Sequence, residues 1–244
     1  MQQAGIISQV RMGSTRLPGK VLLPVAGRPL LDYHVARLQA SGLPVALATT
    51  TLPADDVLAR YAAEHNLPCY RGSEADVLSR YYEANQQFGF DVVVRVTSDC
   101  PLLDGPTLGA AVARYLAEDN PRAYRSNVVA RTFPRGLDFE IFSAEMLAMA
   151  QRSATAVAER EHVTPYLRAQ FAPHGSVLRR DELCPLGDYS APRLTLDTAA
   201  DFDVLQQLIA DYQAHTLALP ELLHLLDEHP EILALNADVV QKTV

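Results

Sequence analysis

Asp91-Val92-Val93-Val94-Arg95-Val96 is a nearly unbroken β-branched run, the signature of a strand buried inside a sheet. Shorter apolar runs precede it at 4–10, 44–49 and 67–71. Helical stretches separate them: Leu30 to Gln39 after Pro29 and stopped by Ser41-Gly42, Asp55 to His65 with Val57, Leu58 and Tyr61 on one side, and Ala75 to Gln87. Strands alternating with helices predict an α/β fold whose mostly parallel sheet is flanked by helices on both faces. Ligands of such sheets sit beyond the carboxyl ends of the strands. Further along, helices are expected at 107–118, 143–151, 156–170, 199–211 and 219–228. A short strand is expected at 122–126, a turn with an alternating strand at 131–142, a strand ending in an acid at 192–198, and a tail at 230–244.

The first apolar run leads into a loop of turn residues, hydroxyls and cations, Arg11-Met12-Gly13-Ser14-Thr15-Arg16-Leu17-Pro18-Gly19-Lys20. Arg11, Arg16, Lys20 and Arg28 all precede the first acid, Asp32, in a chain of formal net charge −8. A cationic, amide-rich loop at the end of a first strand suits phosphates. It is not a Walker A loop: five residues separate Gly13 from Gly19, and Val21 follows Lys20. Gly-x-Gly-x-x-Gly is absent as well. Lys20 and Lys242 are the only lysines against nineteen arginines. A lone lysine among so many arginines points to a place that wants a compact charge.

Acids follow two of the predicted strands. Asp99, in Thr97-Ser98-Asp99-Cys100-Pro101-Leu102-Leu103-Asp104, is placed at the ligand edge, where a carboxylate can hold the hard cation that accompanies a triphosphate. Asp104, before Gly105-Pro106-Thr107, reads as a helix cap. Asp197, in Leu194-Thr195-Leu196-Asp197-Thr198, either caps the following helix or joins Asp99 on one cation. Asp138 and Glu140 share a face of the strand expected there, either as a solvated edge or as a polar pocket with Arg135 available for a carboxylate. His162, beside Arg160 and Glu161, is either a structural histidine or part of such a pocket. No spacing suggests structural zinc.

A 244-residue chain with 48% apolar residues is ample for one large α/β core. No apolar run is long enough for a membrane span. The three cysteines, Cys69, Cys100 and Cys184, form no C-x-x-C pair and read as reduced thiols in a cytoplasmic protein. A pI near 5.3 argues against nonspecific nucleic-acid binding.

The loop Arg11-x-Gly13-Ser14-Thr15-Arg16-Leu17-Pro18-Gly19-Lys20 resembles the signature of the bacterial sugar cytidylyltransferases, which make CMP-activated 3-deoxy-2-keto sugar acids. The resemblance is closest to the spore-coat polysaccharide F-type branch and extends to Asp99-Cys100-Pro101-Leu102, Pro134-x-Gly136-x-Asp138-x-Glu140, Arg160-Glu161-His162-Val163-Thr164 and Asp197-Thr198-x-x-Asp201. It implies a Rossmann-like, GT-A-like nucleotidyltransferase of one domain, with an inserted arm over 128–185 for the acceptor sugar and dimerisation. It implies Mg²⁺ on Asp99 and Asp197, with Arg11 and Lys20 completing the catalytic set. The nucleotide side would comprise Gln9, Arg11, Gly13, Ser14, Thr15, Arg16, Lys20 and Ser98, with Gly72, Ser73 and Asp76 near the cytosine. The acceptor side would comprise Asn127, Arg135, Gly136, Asp138, Glu140, Arg160, Glu161 and His162. The expected partners are CTP, a sugar acid and a second copy of the chain, without nucleic acid or membrane insertion. Three alternatives stay open: a nucleotidyltransferase with another nucleotide or a sugar or polyol phosphate, a non-catalytic nucleotide-binding protein, and a glycosyltransferase. The last class carries Asp-x-Asp after a strand, whereas Asp201-Phe202-Asp203 falls in a predicted helix.

Overall fold

The computed structural model describes residues 2–171 and 187–241. Cys184, His174, Lys242 and the last part of the 128–185 arm lie outside the described residues. Six strands form the main sheet: β1 (Ala4–Gln9), β4 (Val45–Thr50), β5 (Cys69–Gly72), β6 (Val92–Thr97), β7 (Arg125–Ser126) and β8 (Glu140–Ser143). A small antiparallel ribbon joins β2 (Pro24–Val25) to β3 (Arg28–Pro29). The main order is β5-β4-β1-β6-β8-β7. The first four of these are parallel, while β8 runs antiparallel to both β6 and β7. The chain builds outward from β1 to β5 on one side, then returns to place β6 on the other. β1 and β6 are therefore adjacent, and the loops leaving them meet at the switch point of the sheet.

Side chains alternate across the sheet and feed two apolar layers. Ile6, Val92, Val94 and Val96 face one layer, and Ile7, Val93 and Phe142 the other. The first layer is closed by α1 (Leu30–Gln39) and α4 (Gly105–Ala117), and further on by α8 (Ala199–Ala210) and α9 (Leu219–Glu228). The second is closed by α3 (Val77–Phe88) and α5 (Ala144–Ser153). α2 (Asp56–Glu64) packs Leu58 and Tyr61 against Leu31, Val35 and Leu47. α10 (Pro230–Ala234) adds Ile232 to the first layer. No described helix is long and apolar enough to cross a membrane.

Three expectations about local structure change. The helix expected over 156–170 is two helices, α6 (Val157–His162) and α7 (Pro165–Phe171). Proline disfavours a helical residue before it and has no N–H to continue the ladder. The break falls on buried Val163, at φ +69°. Within 131–142 only Glu140 onward is strand, so Asp138 precedes the strand rather than sharing a strand face with Glu140. The segment before it is held by burial of Phe133, Leu137 and Phe139. The segment at 192–198 is extended but carries only one bridge, Arg135 to Arg193. It docks by donating Leu196 N–H to Asp99 O at 2.9 Å.

Gly136 makes that docking possible. Pro134-Arg135-Gly136-Leu137 closes a turn, Leu137 N–H to Pro134 O at 3.2 Å, with Gly136 at φ +102°. A positive φ at the third position is what a type II turn demands. A Cβ there would also lie 2.4 Å from the Leu194 carbonyl carbon.

Candidate active site

The 10–20 loop is tied down before any ligand arrives. Met12 N–H donates to Asp55 Oδ1 at 2.7 Å, and the buried Asp55 carboxylate also accepts from Thr50 Oγ1. Met12 O in turn accepts from Ser14 N–H at 2.9 Å and Gly19 N–H at 3.0 Å. Gly19 turns at φ +68°, a conformation glycine adopts without steric cost. The short 3₁₀ turn Lys20–Leu22 follows, and it aims Lys20 inward.

Lys20 is the centre of the site. Its Nζ donates to Asp99 Oδ2 at 2.9 Å, to Asp197 Oδ1 at 2.8 Å and to Leu196 O at 2.5 Å. All three ammonium donors are used. Residues 79 and 177 positions away in sequence thus meet on one cation. Burial pulls the Lys20 pKa down, but the two carboxylates outweigh it and hold it above its ordinary value. Burial likewise raises Asp99, yet Lys20 and the Thr97 hydroxyl, 2.6 Å from Oδ1, bring it down to about 2. Asp197 Oδ2 also meets Arg16 at 3.0 Å and Arg193 at 2.8 Å.

Asp197 is held by its own motif. Asp201, fully buried, accepts the backbone N–H groups of Asp197 and Thr198 at 3.0 and 2.9 Å, Arg193 Nε at 2.8 Å and Asn236 Nδ2 at 2.9 Å. The Thr198 hydroxyl caps α8, leaving the Asp197 carboxylate clear of the cap. Asp104 caps α4 and bonds Arg37 at 3.0 Å, as its sequence position suggested.

Around this centre lies a cavity of about 470 Å³. Gln9, Arg11, Gly13, Ser14, Thr15, Arg16, Lys20, Ser98, Asp99 and Asp197 line it, together with Glu161, His162 and Arg80. A second cavity, about 370 Å³, is lined by Arg135, Asp138 and Glu140 with Arg95, Arg131 and Arg168. Thr97 and Gln241 border both. A third, about 410 Å³, opens beside the first past Gln9, Arg11 and Arg80.

The expected acceptor residues divide. Asn127 is buried with its amide spent on the backbone, Nδ2 to Leu137 O at 2.7 Å and Oδ1 from Phe139 N–H at 3.0 Å. Glu140 is buried in a network with Arg95 at 2.5 Å, Arg168 at 2.8 Å and the Tyr124 hydroxyl. Burial would raise its carboxyl, but the two arginines and the tyrosine hold it at about 2. Asp138 faces Arg131 in a two-pronged pair at 2.6 and 3.0 Å. Arg135 makes no side-chain hydrogen bond or ion pair to a described residue. Glu161 and His162 lie on the first and third cavities, not with Arg135. Arg160 pairs with Asp76, which caps α3 through Ser79 N–H at 2.9 Å. Gly72 and Ser73 lie at the turn between β5 and α3, where Ser73 O accepts from Arg80.

Sequence reading missed Asp55, Arg80, Arg95, Arg131, Arg168, Arg193 and Asp201. Only Asp201 carried a signal, as the last residue of Asp197-Thr198-x-x-Asp201. The rest stand in no motif and are brought to the loop, the cavities and Asp197 by the fold alone.

Behind Ser98 runs a buried chain. Ser98 Oγ lies 2.8 Å from Ser8 Oγ, and Ser8 Oγ 2.8 Å from His34 Nε2. His34 Nδ1 lies 2.9 Å from Cys100 O, a group that only accepts. The proton therefore sits on Nδ1, Ser8 donates to Nε2, and Ser98 donates to Ser8. Ser98 thus turns lone pairs toward the cavity. Burial pushes His34 down to about 4 from 6.5. The unfolded chain binds more protons between those values, so stability is full above pH 6.5 and falls as pH drops toward 4. The loss is on the order of 3 kcal/mol. Melting curves between pH 7 and 4.5 should show this fall and should flatten in His34→Gln. A flat wild-type profile would contradict the buried neutral imidazole.

A family model for cytidylyltransferase matches residues 4–226. The spore coat polysaccharide biosynthesis protein SpsF of Bacillus subtilis is 31% identical over 235 residues, covering 92% of this chain and 94% of that protein. A 3-deoxy-manno-octulosonate cytidylyltransferase of Chlorobium chlorochromatii is 36% identical over 121 residues, 48% of this chain and 47% of that one. The solved structure of a cytidylyltransferase from Leptospira borgpetersenii superposes with a TM-score of 0.88 at 31% identity, covering 100% of this chain and 99% of that one. With matches that run through the loop, both acids and the sheet between them, the chain belongs to the cytidylyltransferase family.

Proposed function

We propose that the protein transfers CMP from CTP to the hydroxyl of a sugar acid, with release of pyrophosphate. The observation that carries this reading is the convergence of Asp99 and Asp197 on the Lys20 ammonium of the 10–20 loop. The acceptor oxygen would bond to the α-phosphorus while the bond to the β-phosphate oxygen breaks. Pyrophosphate leaves with the electron pair and the hydroxyl proton passes to solvent. Such transfers need positioning and charge neutralisation more than covalent help.

The residues fit Mg²⁺. Asp99 and Asp197 each come within 3 Å of Lys20 Nζ and so face one position, while no group of three or more His, Cys, Asp or Glu placed to hold a metal exists among the described residues. Magnesium prefers this arrangement, one or two carboxylates plus substrate phosphates and water, to an all-protein cage. Asp99 and Asp197 would hold it. When bound it supplies charge at the α-phosphate and acidifies the attacking hydroxyl. Thr97 and Lys20 keep Asp99 ionised for that role, and Asp201 fixes the Asp197 backbone. Arg11 and Arg16 would neutralise the phosphates and the leaving pyrophosphate, and Lys20 would join them when Asp99 and Asp197 turn from it to the metal.

The second cavity suits an anionic acceptor. Its four arginines exceed its two carboxylates. Asp138 and Glu140 are each already paired, and Arg135 is left for an incoming carboxylate. The spore coat and 3-deoxy-manno-octulosonate relatives support an acceptor of the sugar-acid class.

A screen of sugar acids against the four nucleoside triphosphates, read by pyrophosphate release, tests the reading. Release is expected with CTP and a sugar acid. Release only with a sugar phosphate would move the chain to another acceptor class. No release with any acceptor would reduce it to nucleotide binding.

A further inference from the structure

Arg80, on α3, is about 1% exposed, yet it lines both the first and the third cavities. Its stem packs on Gly72, where an added Cβ would lie 3.1 Å from Arg80 Cγ. Nη1 donates to Ser73 O at 2.5 Å. Nε is buried without any hydrogen-bond partner, and no carboxylate of a described residue pairs with the guanidinium. The other buried arginines differ: Arg37 sits on Asp104 at 3.0 Å and Arg193 on Asp201 at 2.8 Å. Burial, with Arg11 nearby, outweighs the more distant Asp55 and Glu74 carboxylates and lowers the Arg80 pKa. A buried cation without a direct ion pair is costly. A ligand that brings acceptor atoms relieves that cost.

The surroundings say which acceptors. Asp99, Lys20 and Asp197 line the first cavity but not the third. The third has apolar wall from Ala75, Val77 and Val157, with the carboxylates of Glu74 and Glu161. That lining offers apolar wall for a heterocycle, donors from Arg80 and acceptors for an amino group. Cytosine offers this pattern, adjacent acceptors at O2 and N3 and an amino group at C4. Uracil carries N–H at position 3 and an oxygen at C4, and so opposes both sets.

We propose that Arg80 reads the base, donating to the O2/N3 edge of cytosine and so selecting CTP over UTP. The inference rests on the cytidylyl-transfer reading and adds the residue that enforces it. The planar fork matters as much as the charge, because an ammonium cannot address two adjacent acceptors in one plane.

The test is calorimetric titration of the full chain with CTP and UTP, without acceptor, for wild type, Arg80→Lys and Arg80→Met. Wild type should bind CTP at least ~30-fold tighter than UTP, the scale of a charged hydrogen bond lost. Arg80→Lys should lose most of that preference by weakening CTP while changing UTP by less than ~3-fold. Equal weakening of both would make Arg80 a phosphate ligand or a structural residue, and unchanged affinities would remove it from the site. Either result overturns the proposal. If melting shows that Arg80→Met does not fold, competition between cytidine and uridine on wild type still decides. Equal binding of these phosphate-free ligands overturns base reading. A wild type that binds no nucleoside triphosphate overturns the transfer reading as well. A wild type that prefers CTP, with the preference kept in Arg80→Lys, overturns only the role of Arg80.

Discussion

Asp99→Asn is expected to lower turnover by at least ~100-fold at saturating CTP and Mg²⁺, the scale for removing a group that stabilises developing charge. The amide keeps the size and one acceptor of the carboxylate, so packing against Thr97 and Cys100 survives. What disappears is the charge. Lys20 keeps Asp197 and Leu196 O, so the fold should survive the change with a modest fall in melting temperature. Measuring pyrophosphate release and thermal melting on the same preparation separates chemistry from folding. Near-normal release from a folded variant would take Asp99 out of the machinery.

Lys20→Met produces the largest expected effect on the protein without ligand. Asp197 keeps Arg16 and Arg193. Asp99 keeps only the Thr97 hydroxyl and the Cys100 thiol. With its cation gone, burial acts on Asp99 against only the Thr97 hydroxyl and a backbone hydrogen bond, and its carboxyl should move from about 2 to above its usual range. Breaking such a pair from one side costs about 3–5 kcal/mol. The sign of the pH response then reverses at this residue. In wild type the depressed Asp99 contributes stability above pH 3.8 that is lost as pH falls to about 2. In the variant, acid relieves the destabilisation by protonating Asp99. Millimolar Mg²⁺ should restore melting temperature in the variant more than in wild type, because Asp99 then lacks its own cation beside Asp197. A variant whose melting is indifferent to both pH and Mg²⁺ would show that the carboxylates do not act together. Binding of CTP should also weaken more than binding of CMP, as the proposed phosphate role of Lys20 requires.

The parallel core was legible because β-branched runs and helical periodicity are local properties. Leu30 to Gln39 and Leu219 to Glu228 fall where the pattern puts them. Local pattern failed where tertiary contacts govern. The segment at 192–198 has strand composition but forms no strand, because its partners are the Asp99 backbone and the Gly136 turn rather than a neighbouring strand. The alternation at Asp138 and Glu140 was read as one strand face, yet the two acids belong to separate arginine networks.

By itself, the sequence determined that two acids and a cationic loop follow strands of a parallel sheet, since strand order and loop position follow from hydrophobic period. Only the tertiary structure decided that Lys20 stands between those acids, that Asp201 holds Asp197 in place, and that Arg80 is buried with no direct ion pair to a described residue. Those facts depend on which side chains a crossover brings within 3 Å of each other, and no local periodicity encodes that distance.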